Sequence, residues 1–508
     1  MTTARKRWLF SGLALGIALA AGAGIAFERY SPLTREYVIK TLEERYESDV
    51  EMKEFHATLF PRPFASAEGI VFHEHGRKDA PPLVTIRKLT LEASFPGLFQ
   101  SLRRINRVRI EGLDLQIAPH EKGGSRIKTN PAAFVVDEIV ADGTLLRLLP
   151  KEPGPKEPGI DPKQFEILRL RLQSVGAGRP MTFVSTLANY KPPGEIHSEG
   201  QFGPWNSDDP GATPVSGKYT FRDANLGVFK GISGTLSSAG QYSGVLERID
   251  VDGATDTPNF LLTETGHPVN LQTKFHATVD GLTGDTYLNP VNAQFLHSQV
   301  VARGGVYGKP GIKGRSVELD VDMQNARVED LLYLAMKSVP ALTGAIRFQA
   351  KLAIPPAPVK VIDKLYLNGD FVIASARFSS LDIQRKVTAL SERARGQVDN
   401  NPSDRVVSNM RGHFRLNSGT ATFSTFSFAV PGALINLDGA YGLQSESLNF
   451  EGSAQMDAKL SQMTTGVKRV LLKVVDPFFR KGGKTVIPIR ITGSRSQPKF
   501  GLRFGGRK

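Results

Sequence analysis

Apolar and polar residues alternate along most of this chain, and a period of two constrains the chain to β-strands with one dry face and one wet face. The alternation is clearest in residues 317–323 and 346–354. Acidic residues separate the apolar ones in the first segment, whereas mainly basic residues and glutamine separate them in the second. On the dry face of these two segments we place Val317, Leu319, Val321, Ile346, Phe348 and Leu352.

Glycine-rich turn signals separate the alternating segments. The clearest predicted hairpin turns are residues 237–240, 279–281 and 368–370. Because no regular helix stands between most neighbouring segments, the pattern favours antiparallel meanders over a parallel α/β sheet. The predicted fold class is mainly β, an elongated antiparallel β-sheet with a few short capping helices.

One strand pattern changes its phase at a glycine. Apolar residues at positions 108 and 110 are followed by apolar residues at 113, 115 and 117, and Gly112 lies between the two sets. A glycine bulge in a strand would produce such a switch. We therefore predict one strand that continues through Gly112.

The N-terminus has the pattern of a transmembrane anchor. Arg5, Lys6 and Arg7 precede an uncharged stretch, residues 8–27, which as a helix would span about 30 Å, the thickness of a bilayer core. Its larger apolar residues are Trp8, Leu9, Phe10, Leu13, Leu15, Ile17, Leu19, Ile25 and Phe27. By the positive-inside rule, residues 1–7 would be cytoplasmic and the bulk of the chain periplasmic, with a single pass through a bacterial inner membrane.

A cleaved signal peptide is the alternative for the same segment. Ala18 and Ala20 fit the small-x-small pattern of a cleavage site. Apolar character continues past Ala20, where a signal peptide usually becomes polar. We favour an uncleaved anchor and leave cleavage after Ala20 open.

An amphipathic helix is predicted next, over residues 31–47. Ser31 suits the N-cap and Pro32 suits the first helical position. Tyr37, Val38 and Leu42 fall near one helical face. We expect this face to pack on the end of the β region, with a position at the bilayer interface as the alternative.

Three further helices are predicted, at residues 327–338, 383–395 and 458–475. A Lys-Glu-Pro segment divides the rest of the chain. We expect this segment to be a loop or linker and not a functional repeat. The predicted regions are an N-terminal β region over 48–149, the loop over 150–163, a central β region over 164–455, and a C-terminal helix with closing strands over 456–508.

Composition and motifs exclude several kinds of chemistry. The chain has no cysteine, which excludes disulfides, thiolate metal sites and thiol catalysis. Its net charge of +14 is spread along the chain without a nucleic-acid-binding motif, so we predict no nucleic-acid partner. No phosphate-binding loop, dinucleotide fingerprint or nucleophile elbow is present. We therefore predict no cofactor and no enzymatic activity.

Two short clusters of polar residues are candidate metal sites. His73, Glu74 and His75 place two imidazoles on one face of a strand, but a third ligand is missing nearby. Asp250, Asp252 and Asp256 match a calcium loop only loosely, because the glycine comes too early and the closing glutamate is absent. We predict solvated surface residues in both places and no metal site.

The order of the features along the chain resembles the AsmA-like family of bacterial proteins, relatives of TamB. The anchor and short helix are followed by a strand pair broken at Phe60-Pro61 within residues 50–72. Further similar blocks are residues 89–117, 244–262, 275–291, 328–344, 387–396 and 486–502. The resemblance covers nearly the whole chain, although none of these blocks is a catalytic signature.

The resemblance implies a periplasmic sheet curled into a hydrophobic groove, tethered to the inner membrane. In the wider bridge-like lipid-transfer superfamily such grooves are thought to carry phospholipid acyl chains, and AsmA itself is linked to outer-membrane assembly. The expected partners are then phospholipids, the inner membrane and an envelope protein. The six dry-face residues listed above would face the acyl chains.

Two alternatives remain open. Two apolar sheet faces can pack on each other in a closed core, which would suit an envelope scaffold or assembly factor without bound lipid. An envelope hydrolase that uses aspartate or histidine is a weaker third hypothesis. The first hypothesis requires an open apolar interior, the second a closed dry core, and the third polar groups that converge in a pocket.

Overall fold

A computed structural model describes most of the chain between residues 34 and 502. The described residues are 34–46, 48–58, 60–74, 82–94, 103–117, 134–148, 163–176, 178–204, 206, 209–263, 266–281, 283–308, 312, 314–397, 406–463 and 480–502. The anchor residues, from Trp8 to Phe27, lie outside these ranges, as do Ser31 and Pro32. Among the described residues, no helix combines the length and the apolar character needed to cross a bilayer.

Strands account for 68% of the described residues, which confirms the mainly β class. They are β1 (Ser48–Glu51), β2 (Glu54–Thr58), β3 (Phe64–Glu74), β4 (Val84–Ala93), β5 (Arg103–Ile117), β6 (Phe134–Leu148), β7 (Lys163–Gly176), β8 (Met181–Tyr190), β9 (Pro193–Phe202), β10 (Pro214–Asn225), β11 (Ile232–Ser233), β12 (Thr235–Val245), β13 (Arg248–Leu262), β14 (Val269–Val279), β15 (Thr286–Phe295), β16 (Ser298–Gly308), β17 (Arg315–Arg327), β18 (Leu342–Ile354), β19 (Tyr366–Phe378), β20 (Ser408–Asn417), β21 (Thr420–Val430), β22 (Ala433–Gly442), β23 (Ser447–Met456), β24 (Arg480–Lys481), β25 (Lys484–Ser494) and β26 (Pro498–Leu502).

The helices in the described part of the chain are few and short. They are α1 (Arg35–Tyr46), α2 (Val328–Ala335), α3 (Val361–Lys364) and α4 (Leu381–Ala394), with 3-10 turns at Pro210–Ala212, Leu226–Val228 and Leu460–Met463. Helices α2 and α4 lie in or next to the predicted segments 327–338 and 383–395. The predicted helix over 458–475 lies mostly outside the described residues.

Most strands pair antiparallel with their neighbours in the sequence, and the sheet is nevertheless mixed. Strands β5 and β6 pair in parallel, with Val108 opposite Ile139 and Ile110 opposite Ala141. The prediction of a wholly antiparallel sheet is therefore wrong at this pair. A parallel pair needs a crossover of about a dozen residues, and residues 118–133, which connect the two strands, are long enough for one.

The chain divides into two compact units, here called unit 1 and unit 2. Unit 1 comprises residues 1–228, 236–255 and 276–285. Unit 2 comprises residues 229–235, 256–275 and 286–508.

Unit 1 has an apolar core on one face of its strands β1 to β8. Its most completely buried side chains are Ile70, Phe72, Ile86, Val108, Val136 and Val175. Helix α1 contributes Val38 and Leu42 to this core. The amphipathic helix thus packs on the β region, through residues that its helical spacing had placed on one face.

The switch of phase at Gly112 is present in β5, but its geometry differs from the prediction. Val108 and Ile110 are buried before the glycine and Leu115 is buried after it, so the pattern switches from even to odd positions. The register with β4 continues unchanged through Gly112, and the register shift lies instead at Ala93. Gly112 has φ +62°, and this left-handed residue turns the strand over without an inserted residue.

Unit 2 has its most buried apolar side chains at one end of its strands, where α2 and α4 pack. Met323, Ile346, Ile373, Met410 and Phe428 lie in this core on neighbouring strands. Val328 of α2 and Val387 and Ala394 of α4 complete it. The two helices therefore cap one end of the sheet in unit 2.

Two of the three predicted turns lie inside strands. Residues 237–240 belong to β12, and residues 368–370 belong to β19. Only residues 279–281 form a connection, between β14 and β15. Gly240 and Gly369 are therefore strand residues, and a close approach of neighbouring atoms explains them. A β-carbon at Gly240 would lie 2.9 Å from the ring of Tyr219, and one at Gly369 would lie 2.6 Å from Cα of Ala350.

Candidate functional site: an apolar face in unit 2

The strands of unit 2 align apolar residues in rows that cross the sheet. In one row, Val321 of β17 opposes Ala350 of β18, which opposes Gly369 of β19. The same row continues through Phe414 of β20 to Phe423 of β21. Since side chains of opposed residues point to the same side of a sheet, these residues share one face, here called the apolar face.

All six residues predicted to lie on a dry face belong to this apolar face. Val317 opposes Ile354, Leu319 opposes Leu352, and Met323 opposes Phe348 in the pairing of β17 with β18. Ile346 is buried, at 5% exposure. The other five, namely Val317, Leu319, Val321, Phe348 and Leu352, are partly exposed. The structure thus brings the six residues together on two adjacent strands.

Six phenylalanines form the centre of the apolar face. This phenylalanine cluster consists of Phe348, Phe371, Phe414, Phe423, Phe426 and Phe450, from five strands between β18 and β23. The ring centroids of Phe348 and Phe414 are 5.3 Å apart, and those of Phe423 and Phe450 are 5.8 Å apart. Distances of this size are typical of favourable aromatic pairs.

Glycines opposite the phenylalanines make room for the rings. Gly439 of β22 lies between Phe423 of β21 and Phe450 of β23. A β-carbon at position 439 would lie 2.7 Å from Cδ1 of Phe450. Gly412 similarly opposes Phe371, and a β-carbon there would lie 3.3 Å from its ring. The rings therefore lie across strand positions that have no side chain.

Burial changes along the strands of the apolar face. At the end capped by α2 and α4, Ile346, Ile373 and Met410 are at most 7% exposed. Farther along the same strands, Leu319, Leu352 and Leu367 are only partly buried. The apolar face is thus covered at the capped end, and keeps accessible apolar surface beyond it.

The opposite face of the same strands is polar. Arg347, Gln349 and Lys351 of β18 are exposed there. Asp322 accepts hydrogen bonds from the side-chain amides of Gln324, at 2.6 Å, and Gln349, at 3.3 Å. The carboxylates of β17 therefore line a solvated surface, and they do not point toward the apolar face.

The aspartates that loosely match a calcium loop have ordinary surface partners. Asp250 accepts a hydrogen bond from Thr278 at 2.8 Å, and Asp252 lies 2.9 Å from Nδ1 of His276. His75 and the side chain of Glu74 lie outside the described residues. Within the described ranges, no three histidine or acidic side chains are grouped so that they could hold a metal ion.

Unit 1 has a second, more polar stretch on the face that carries its core. Ser198 of β9 donates a hydrogen bond to the carbonyl of Lys218 at 3.0 Å and lies 2.7 Å from the hydroxyl of Tyr242. Tyr219 lies 3.0 Å from Ser238 in the same way. The ring of Tyr242 lies 2.9 Å from where a β-carbon of Gly217 would be. Serine and tyrosine thus replace aliphatic residues on strands β9 to β12.

Burial changes the acidity of these two tyrosines. It raises the pKa of the Tyr219 and Tyr242 phenols above the ordinary value, and their hydrogen bonds with Ser238 and Ser198 oppose the rise. A phenol with a raised pKa in the folded protein stays protonated after the unfolded chain has begun to ionise. Its contribution to stability is therefore complete below about pH 10, the pKa of an unperturbed tyrosine, and is lost above it.

We expect the Tyr242→Phe variant to lose less stability between pH 9 and pH 11 than the unsubstituted protein does. At neutral pH the variant should be less stable by about 1 kcal/mol, the usual net contribution of one hydrogen bond. Denaturant unfolding across this pH range measures both effects. Tyr190→Phe is the control, because Tyr190 is 63% exposed. Equal pH dependence in all three proteins would contradict the expectation.

Of the phenylalanine cluster, only Phe348 was predicted from the sequence to lie on the apolar face. The spacing of Phe423, Phe426 and Phe428 hides the pattern, because the register shifts between Phe423 and Phe426. The signal that could have found the cluster is the phenylalanine content of the chain, 29 residues, of which eight lie between residues 348 and 450.

Comparison of the chain with protein-family models, with curated proteins and with solved structures found no match. The class of the protein is therefore defined from its fold and its candidate site alone. The described part of the chain is a mainly β protein, in which each of the two units has an apolar core on one face of its strands.

Proposed function

We propose that the apolar face of unit 2 binds the acyl chains of phospholipids. In this proposal the chain is an inner-membrane-anchored periplasmic protein that takes part in phospholipid transport and outer-membrane assembly. The observation that carries the proposal is the phenylalanine cluster, four of whose six rings are partly exposed, with the partly buried Leu319, Leu352 and Leu367 beside it.

The chemistry of the face suits an acyl chain better than a polar ligand. Across β17 to β20, the row from Leu319 through Leu352 and Leu367 to Leu416 is entirely aliphatic. Each methylene group removed from water contributes about 0.8 kcal/mol, so an acyl chain laid along such rows would bind through the hydrophobic effect alone. No polar partner is needed to hold it.

The predicted anchor supports the cellular part of the proposal. Residues 8–27 are long and apolar enough to cross a bilayer, and the basic residues before them favour a cytoplasmic start. The resemblance to AsmA-like proteins supports a role in the envelope. Both lines of support come from the sequence.

The test places a photo-crosslinking amino acid at one position per protein and examines the irradiated protein from intact cells for attached phospholipid. Phe348 and Gln349 are the first pair, because these neighbours point to opposite faces of β18. Phe371 and Val372 of β19 are the second pair. Val372 is apolar and 48% exposed, so it controls for non-specific labelling of an apolar surface residue.

We expect severalfold more phospholipid at positions 348 and 371 than at 349 and 372. Equal labelling on the two faces would contradict a lipid-binding face. No labelling at any of the four positions, in protein that is folded and in the envelope, would favour the closed core of a scaffold instead.

A further inference from the structure

Unit 2 exposes large apolar side chains in the loop before β18 and in the first turn of α4. Val339, in the loop between α2 and β18, is 80% exposed. Leu381 and Ile383, in the first turn of α4, are 64% and 38% exposed. We call these three residues and the cations around them the loop-tip patch. The cations are Lys337, Arg377, Arg385 and Lys386, all exposed.

Hydrogen bonds hold the two loops of the loop-tip patch together. The backbone N–H of Ser379 donates to the carbonyl of Ala341 at 3.0 Å. The hydroxyl of Ser379 donates to the carbonyl of Pro340 at 2.7 Å. Because Ser379 lies two residues before Leu381, and Pro340 directly follows Val339, these bonds place the loop that carries Val339 beside the start of α4.

The exposed side chains stand on a firmly attached helix. Gln384 of α4, 6% exposed, accepts a hydrogen bond from the N–H of Phe378 and donates one to the carbonyl of Val406 at 2.7 Å. Ser391 donates to the carbonyl of Pro431, also at 2.7 Å. Leu381 and Ile383 therefore project from a helix that is bonded to the sheet on both sides.

The charge around these apolar residues is mostly positive. Across residues 337–341 and 377–386 there are four cationic side chains and one carboxylate, that of Asp382. Asp382 is 83% exposed and lies 3.9 Å from Arg385. An exposed pair at this distance is weak, so Arg385 remains available to an anionic partner.

We propose that the loop-tip patch docks on the surface of an anionic phospholipid bilayer. Val339 and Leu381 would enter the boundary between headgroups and acyl chains, and the four cations would contact lipid phosphates. This inference goes beyond acyl-chain binding in unit 2 and does not depend on it, because the patch lies outside the phenylalanine cluster and the aliphatic rows of the apolar face.

The absence of cysteine from the chain allows a site-specific test with the full-length protein. Single Val339→Cys, Leu381→Cys and Val359→Cys variants are labelled with an environment-sensitive fluorophore and reconstituted in proteoliposomes. Two sets of separate acceptor vesicles carry a lipid-bound quencher in the bilayer. One set contains phosphatidylglycerol, and the neutral set contains only phosphatidylcholine. Val359 is the matched control, since it is 46% exposed in the loop between β18 and β19, at the opposite ends of these strands.

We expect acceptor vesicles with phosphatidylglycerol to quench the label at positions 339 and 381 but not at 359. Neutral vesicles should quench none of the three. Replacing Arg385 and Lys386 by glutamine should weaken the quenching by about fivefold for each cation removed. All substituted residues are exposed, so circular dichroism should be unchanged.

Three outcomes would overturn the proposal. These are equal quenching at positions 339 and 359, no quenching at 339 and 381, and quenching that neutral vesicles reproduce. A label at 339 that is shielded only when other envelope proteins are added would also overturn it, and would identify a protein as the occupant. Each outcome can be read whether or not phospholipid crosslinks to Phe348, so failure here is distinct from failure of the proposed function.

Discussion

The Phe414→Ala variant should have a free energy of unfolding about 3–5 kcal/mol lower than that of the unsubstituted protein, through the loss of buried aromatic surface and the cavity that remains. Phe414 is 8% exposed. Its ring lies 5.3 Å from that of Phe348, 6.3 Å from Phe371 and 6.5 Å from Phe423, measured between centroids. Hydrogen exchange of the amides in β19, β20 and β21 measures the loss within unit 2.

Val372→Ala is the control for this expectation. Val372 is on the polar face of β19, 48% exposed, so its truncation should cost less than about 1 kcal/mol. A Phe414→Ala variant that exchanges its amides no faster than the control would show that the phenylalanine cluster does not act as a packed core. The same variant should also show less lipid crosslinking at Phe348, since the two rings are in contact.

The Asp330→Ala variant should be destabilised by about 2–4 kcal/mol, because a buried hydroxyl and a partly buried backbone N–H would lose their acceptor. Asp330 of α2 is 4% exposed. Its Oδ2 accepts hydrogen bonds from the N–H of His297 at 2.9 Å and from the hydroxyl of Ser298 at 2.8 Å. These bonds tie α2 to the start of β16. Denaturant unfolding of the full-length protein measures the loss.

Two further variants make the expectation for Asp330 specific. Asp330→Asn keeps one oxygen acceptor and should lose less stability than Asp330→Ala. Asp382→Ala removes a carboxylate that is 83% exposed and should change stability by less than about 0.5 kcal/mol. If Asp330→Ala and Asp382→Ala were equally stable, the buried carboxylate would not be what attaches α2.

The expectation for Asp330 concerns how one end of the apolar face is closed. Asp330 anchors α2, and Gln384 and Ser391 anchor α4, so the two helices cover the ends of β18 and β19. The phenylalanine cluster begins directly beyond this cover. A variant that loosens α2 without altering the phenylalanine cluster therefore separates two effects, the stability of the capped end and lipid binding at the apolar face.

Much of the fold was predictable because strand alternation is a local property. The period of two in 317–323 and 346–354 assigns each residue to a face before any partner strand is known. Six residues placed on the dry face by this pattern do share one face in the structure. The face of α1 that packs on the β region was predictable for the same reason, since helical spacing is also local.

The wrong turn predictions were made at glycine residues. Glycine occurs both in turns and at strand positions that leave room for an aromatic ring, and the sequence does not distinguish these two cases. Gly240 was predicted to turn the chain, whereas it lies in β12 beneath the ring of Tyr219. Gly369 was likewise predicted in a turn and lies within β19.

The sequence by itself determined the β class, the assignment of side chains to dry and wet faces, and the segments able to form helices, because each depends on residues near one another in the chain. Only the tertiary structure decided that β5 and β6 run parallel, that Gly439 lies between Phe423 and Phe450, and that the loop carrying Val339 lies beside the start of α4. These features depend on which strands and loops become neighbours. The choice of neighbours is made by packing and register across distant parts of the chain, which no local period encodes.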